Sequence, residues 1–362
     1  MTHFSASPQK VRVFIVDDSA FARRTLTKIL ERDPRIDVIG TAWDGMEAIE
    51  KIDALSPDVV TMDINMPHMN GIEALDVIMR EMPLPVILVS SLDQHIVEET
   101  LEGLERGAVD FILKPTELAS EKLYQIQTEL VNKVVTISSL KSTTLRKTLQ
   151  TVVPKAPPPP LPPRRSLPQV PSSRIACVAI GVSTGGPTAL YHIIPRLPAN
   201  FPAGIIIVQH MPPGFTKPLA DRMNKNSNIV VKEAESGDEV IPGLALVAPG
   251  GRHLFLRHDD QQKVVVHIDP EPSHYIHIPS VDLTFSDAAE IYRKRCLGII
   301  LTGMGKDGVK GLEKIKSYGG YSIAEDESTC VVFGMPEVAI RRGLVDTVAP
   351  VHHIAEILMD ML

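Results

Sequence analysis

Apolar residues in this chain gather in short unbroken runs. VRVFIV (11–16), DVVTM (58–62), PVILVS (85–90) and VDFIL (109–113) mark the first part, with helical spacing from Ser19, from Asn70 and over 95–106. Such runs suit strands buried on both faces. Strands alternating with helices of about 10 to 15 residues predict parallel βαβ units in a doubly wound sheet. After Pro115, apolar residues recur at Leu118, Leu123, Ile126, Leu130, Val134 and Ile137. Steps of about three to five predict one long amphipathic helix whose stripe packs on a core.

The second part repeats the style. Candidate strands are IACVAIG (175–181), GIIIVQ (204–209), IVVKEA (229–234), LGIILT (297–302), YSIAE (321–325) and LVDTV (344–348). Helical spacing falls at 187–196, 217–225, 282–293, 307–317, 336–342 and 351–361. HLFLRH, the turn DDQQ and KVVVHI add a β-hairpin insertion. Between the two parts, PKAPPPPLPPRRSLPQVP (154–171) is half proline. A run like this cannot build a core and favours extended polyproline II, so it reads as a semi-rigid spacer. The chain of 362 residues also exceeds one ordinary core. The expected organisation is an α/β domain at 10–133, a helical extension and proline-rich linker at 134–172, and a second α/β domain at 173–362.

Composition narrows the function. The net charge of -7 argues against nucleic acid as the main partner. No apolar run approaches the roughly 20 residues of a membrane span, and MTHFSASPQK lacks the pattern of an export signal. Cys177, Cys296 and Cys330 are odd in number and far apart. They fit a reducing compartment, and the expected location is the cytoplasm.

Ligands of an open parallel sheet collect at the carboxyl ends of its strands. In the first domain those ends carry Asp17 and Asp18, Asp63, Ser90, and Lys114 before Pro115. Clustered carboxylates suit a hard divalent ion such as Mg²⁺, and a carboxylate can form an aspartyl-phosphate. Helix capping by Asp18 or Ser19 and solvated loop acids would explain the same residues. No G-x-x-x-x-G-K-[ST] occurs, which excludes a P-loop.

VDDSAFAR, DVVTMDINMPHMNGIEAL, PVILVSS and GAVDFILKP resemble the signature blocks of response-regulator receiver domains, over residues 10 to about 130. The resemblance implies a flavodoxin-like fold with Asp63 as phospho-acceptor. It implies Mg²⁺ held by Asp18, Asp63 and the carbonyl of Asn65, with Asp17 acting through water. Ser90 would be the switch hydroxyl and Lys114 the phosphate contact, and the bond before Pro115 is a candidate cis peptide.

In the second domain the strand ends carry Ser183 and Thr184, then Gln209 and His210, then LTGMGKDG with Met304 and Asp307. Serine needs an imidazole to become a nucleophile, and the imidazole needs a carboxylate to fix its tautomer. IGVSTGGPTAL also contains G-x-S-x-G, from Gly181 to Gly185. A dinucleotide loop is the rival, but Ser183 replaces the middle glycine and the next strand ends in Gln209 and His210. Anion binding at the helix start near Pro187 stays open. The order Ser, His, Asp differs from that of the α/β-hydrolases. His274 and His277 could ligate a metal, although pairs of this kind are mostly surface residues. His352 and His353 are expected to ride on a terminal helix.

GVSTGGPTAL, VQHMPPGFT, VKEAESGDEV, APGGRHL, PSVDLTF, ILTGMGKDG and DESTCVVFGMPEVAI resemble the catalytic domain of the bacterial chemotaxis protein-glutamate methylesterase family, over about 174–362. The resemblance implies Ser183 as nucleophile, His210 as general base and Asp307 as its orienter. Met304 would serve the oxyanion hole by its backbone N–H, and Thr184 would shape the site. The implied reaction is hydrolysis of glutamate γ-methyl esters and deamidation of glutamines on chemoreceptors. It uses no cofactor, and phosphorylation of Asp63 by a chemotaxis histidine kinase would relieve inhibition by the first domain. Lys306 and Ile278 stand where the family usually has a small and a basic residue. Three rivals are weighed against this: a degenerate receiver-linked binding module, a DNA-binding output domain and a nucleotide-dependent enzyme.

Overall fold

The computed structural model describes residues 10–114, 120–138 and 175–362, with only the backbone course given for 120–126. The proline run, Pro115 and the side chains of Leu118, Leu123 and Ile126 lie outside the described residues. The chain separates into two compact units, Met1–Val153 and Pro154–Leu362.

The first unit holds β1 (Val11–Val16), α1 (Ala20–Leu30), β2 (Ile36–Ala42), α2 (Gly45–Leu55), β3 (Val59–Asp63), α3 (Gly71–Glu81), β4 (Val86–Ser90), α4 (Gln94–Glu105), β5 (Asp110–Leu113) and α5 (Ser120–Ile137). Its parallel sheet has the order β2-β1-β3-β4-β5, the flavodoxin-like arrangement. Ser19 caps α1 through its hydroxyl, as the sequence predicts. Asn70 opens α3 with a reciprocal capping box closed by Glu73, which satisfies two otherwise orphaned N–H groups. Leu130, Val134 and Ile137 of α5 are fully buried. The helix packs against α1, β1 and β5, so these three positions of the stripe are core.

The second unit holds β6 (Cys177–Val182), α6 (Gly186–Ile193), β7 (Gly204–Gln209), α7 (Thr216–Asn226), β8 (Val230–Glu233), β9 (Leu244–Val247), β10 (His253–His258), β11 (Val264–Asp269), α8 (Val281–Tyr292), β12 (Cys296–Ile300), α9 (Val309–Ser317), β13 (Tyr321–Glu325), α10 (Met335–Arg341), β14 (Thr347–Ala349) and α11 (Val351–Met361). Seven parallel strands run in the order β14-β13-β12-β6-β7-β9-β8, and β10 pairs with β11 as the separate hairpin. Phe285 of α8 packs in the core cluster with Val281, Ile300 and Leu312. Burying one such side chain fully is worth about 1.5–3 kcal/mol. Among the described residues no helix is long and apolar enough to cross a membrane.

Each sheet reverses its direction of growth once. The chain starts at β1 and extends to β2 on one side and β3 on the other. It starts again at β6, grows through β7, and later crosses to β12. A crevice opens at each reversal, beyond the carboxyl ends of the flanking strands.

Candidate active site

Ser183 follows β6 directly, at the second crevice. Its backbone N–H donates to the Thr302 carbonyl at 3.0 Å, and its own carbonyl accepts from Gly186 N at 2.8 Å. The turn into α6 passes through Gly185 at φ +79°, a left-handed conformation that a side chain would strain. Strand, sharp turn and helix therefore meet at the serine, the context in which G-x-S-x-G carries chemistry. Gln209 reinforces the turn by donating its side-chain amide to the Ser183 carbonyl at 3.0 Å.

His210 sits beside this turn, because its backbone N–H donates to the Val182 carbonyl at 3.0 Å. Its Nε2 lies 2.9 Å from Asp307 Oδ2. Its Nδ1 is buried and lacks a hydrogen-bond partner. A neutral imidazole facing a carboxylate carries its proton on that side, so Nδ1 is the nitrogen left to accept. The two ring nitrogens thus exchange the roles they hold in the serine-protease template.

Asp307 is the best-held group in the site. Burial acts to raise its pKa. The hydrogen bond and charge of His210 and the N–H groups of Val281 and Asp282 outweigh burial and hold it at about 2. Those two N–H groups, at 2.8 and 3.0 Å, belong to the N-terminal turn of α8. The Ser280 hydroxyl adds a bond at 3.1 Å and Gly308 N one at 3.0 Å. A helix N-terminus receives a carboxylate here for the reason it receives a phosphate.

The loop after β12 carries Met304 and lies directly on the serine turn. A Cβ at Gly303 would fall 2.7 Å from Ser183 Cβ. Thr302 ties the two loops, donating its hydroxyl to the carbonyl of the buried Thr184 at 2.9 Å. Beneath them, buried Glu325 accepts the Thr302 N–H at 2.8 Å. Burial pushes its carboxyl up to about 7.

The first crevice gathers the acids. Asp17, Asp18 and Asp63 each offer an oxygen within 4.8 Å of the others. Lys114 Nζ lies 2.6 Å from Asp63 and 3.3 Å from Asp17. Burial, followed by the charges of Asp17 and Asp18, raises Asp63 to about 6 against the pull of Lys114. Burial likewise raises Asp17, whose buried Oδ2 faces the Lys114 ammonium. Asn65 is exposed two residues beyond Asp63. Ser90 is fully buried, and its hydroxyl engages Thr100 of α4 at 2.6 Å.

The CheB methylesterase family matches residues 178–358, and the response regulator receiver domain matches residues 13–126. A protein-glutamate methylesterase/protein-glutamine glutaminase of Thermotoga maritima is 47% identical over 97% of this chain and 98% of its own length. The chain belongs to the CheB methylesterase family. It is a methylesterase/glutaminase of that type, joined to a receiver domain. A relative of the same name from Lawsonia intracellularis is 46% identical over 95% of this chain and 97% of its own. The crystal structure of the Thermotoga maritima CheB methylesterase catalytic domain superposes with a TM-score of 0.51 at 52% identity, covering 52% of this chain and 98% of that one.

Sequence reasoning missed several contributors to the site. Ser280 reaches Asp307 from the PSVD block, and the start of a helix there was the available signal. Lys306 is exposed beside Asp307, and Ile278 is half-buried with its carbonyl bonded to Gly251 N at 3.0 Å. His274 is exposed, as expected of a surface pair. His277 departs from that expectation, because its ring stacks on His210. Among the described residues the acid cluster is the one group with ligand spacing for a metal, and neither histidine belongs to it. His352 and His353 do ride on terminal α11, with His353 buried.

Proposed function

We propose that this protein hydrolyses γ-methyl esters of glutamate, and deamidates particular glutamines, on the signalling helices of chemoreceptors in the cytoplasm. Ser183 Oγ attacks the side-chain carbonyl carbon while His210 Nδ1 takes its proton, and Asp307 stabilises the imidazolium formed. The backbone N–H of Met304 contributes to the oxyanion hole, and Thr184 helps shape the site. Imidazolium then protonates the leaving methanol or ammonia. Water, deprotonated by His210, opens the acyl-enzyme and regenerates Ser183 with a free glutamate. The observation that carries this reading is the His210–Asp307 pair at 2.9 Å, anchored on a helix N-terminus one strand away from Ser183.

Control belongs to the first crevice. Asp63 accepts a phosphoryl group from a chemosensory histidine kinase, Lys114 contacts it and Ser90 acts as the switch hydroxyl. The residues fit Mg²⁺, since three carboxylates that each offer an oxygen within 4.8 Å of the others suit a hard cation. Asp18, Asp63 and the Asn65 carbonyl would hold it, with Asp17 through water, and bound Mg²⁺ would neutralise phosphoryl charge. The deciding assay is methanol release from methylated receptor by wild type and Ser183→Ala, each with and without a phosphodonor. Wild type should release methanol and respond to the donor, and Ser183→Ala should do neither. No release from wild type in either condition would sink the reading.

A further inference from the structure

One hydrogen bond cannot fix a flat ring. The Nε2 contact with Asp307 sets a point on the His210 imidazole, and the ring can still swing about that contact. Swinging would move Nδ1, the nitrogen left to accept a proton. The plane needs a second constraint, and the structure supplies one. The His277 ring lies face to face with His210, with centroids 4.1 Å apart and planes within 12°.

His277 comes from the segment between β11 and α8, which has no secondary structure to hold it. Buried His253 of β10 does the holding instead. Its Nε2 donates to the Pro272 carbonyl at 3.2 Å, near one end of the segment. Its Nδ1 accepts the Ser280 N–H at 3.1 Å, at the other end. One side chain thus bridges the base of the loop with both ring nitrogens engaged, which requires the neutral form. Burial lowers the His253 pKa and favours that form. The Tyr275 ring packs edge-on against His253 at 5.5 Å, and Gly251 N holds the Ile278 carbonyl at 3.0 Å. The same segment ends at Ser280 and the α8 N-terminus, which grip Asp307. The loop is a strap built from one end to the other, and it lays His277 on the base while it holds the acid.

We propose that His277 is a positioning residue for the reaction, its ring fixing the plane of the His210 imidazole so that Nδ1 stays aimed at Ser183. The proposal rests on His210 being the general base. It assigns no proton transfer to His277, so a flat ring that cannot titrate should replace it. Small misplacement of a catalytic group costs up to about 100-fold in rate, and a freed ring falls within that range.

The test uses the full chain with a phosphodonor and methylated receptor, and measures kcat, KM and the pH dependence of kcat. His277→Ala should lower kcat by about tenfold or more with KM within about twofold. His277→Phe should recover most of the loss and keep the wild-type pH profile. His210→Ala tests the parent reading separately: near-wild-type activity there would overturn the general-base assignment itself. With His210→Ala inactive, wild-type kcat in His277→Ala would overturn the proposal. So would a loss in His277→Phe as large as in His277→Ala, or a displaced pH profile in His277→Phe. If thermal melting shows that His277→Ala does not fold, His277→Phe decides alone: kcat near wild type supports the stacking role and a tenfold loss overturns it.

Discussion

Asp307 and Asp63 are both buried acids at the edge of a parallel sheet, yet their surroundings drive them in opposite directions. Asp307 faces His210, three backbone N–H groups and a hydroxyl, and stays ionised down to about pH 2. Its amide analogue could not hold the His210 tautomer, so Asp307→Asn should lower kcat on the order of 10⁴. Initial rates of methanol release check this, and a drop under tenfold contradicts it. Asp63 has burial and two acids against a single Lys114, which lifts it to about 6. Between the ordinary value of 3.8 and about 6, the folded state keeps a proton that the unfolded state has lost. Stability therefore falls as pH rises through that window. Asp63→Asn removes the titration, so the variant should melt higher than wild type above pH 6 and show a flatter profile across the window. Calorimetry against pH reads this directly, and a lower melting point for the variant at neutral pH would refute it. Ser183, His210 and Asp63 stood out in the sequence because each ends or directly follows a run of strand character, and Asp307 because it lies in the glycine-rich loop LTGMGKDG after another such run. His277 was not legible, because only the fold of an irregular loop brings it to His210.

Elements were legible where burial writes a continuous apolar run. β1, β7 and β13 match their predicted bounds residue for residue, because fully covered strands tolerate little else. β2 and α2 escaped the pattern. β2 is an edge strand with most of its residues half-buried, so IDVIGTA shows neither a run nor clean alternation. β9 escaped because it has four residues and ends against Ala248–Gly250. The junction of β6 and α6 yields the sharpest test at this scale. A Cβ on Gly186 would lie 1.9 Å from Gln209 Oε1, on the amide that holds the Ser183 carbonyl. Gly186→Ala must displace either Gln209 or the start of α6. It should cost on the order of 10² in kcat while circular dichroism stays native. Wild-type turnover in that variant would show that the Gln209 tie does not set the nucleophile.

Both crevices obey one topological rule at the scale of the whole chain. The acids flank the reversal between β1 and β3, and the serine and aspartate flank the reversal between β6 and β12. Each unit therefore carries its candidate site on its own sheet, with its own core. The crystal structure of the Thermotoga maritima catalytic domain matches 98% of its length to this chain, so the second unit has the extent of that separately crystallised domain. If the first unit restrains the second, as the family resemblance implies, the restraint must be separable from the chemistry. A tether keeps such an intramolecular inhibitor at high effective concentration, on the order of millimolar, and cutting it should abolish inhibition without touching Ser183, His210 or Asp307. A chain lacking residues 1–170 should release methanol at least as fast as the phosphodonor-treated full chain, and should ignore the donor. Asp63→Ala in the full chain should stay at the basal rate with or without donor. If both variants turn over at the same rate as untreated wild type, the receiver is not an inhibitor and phosphorylation acts elsewhere. A truncated chain slower than untreated wild type would instead make the receiver an activator, with the tether delivering it to the substrate.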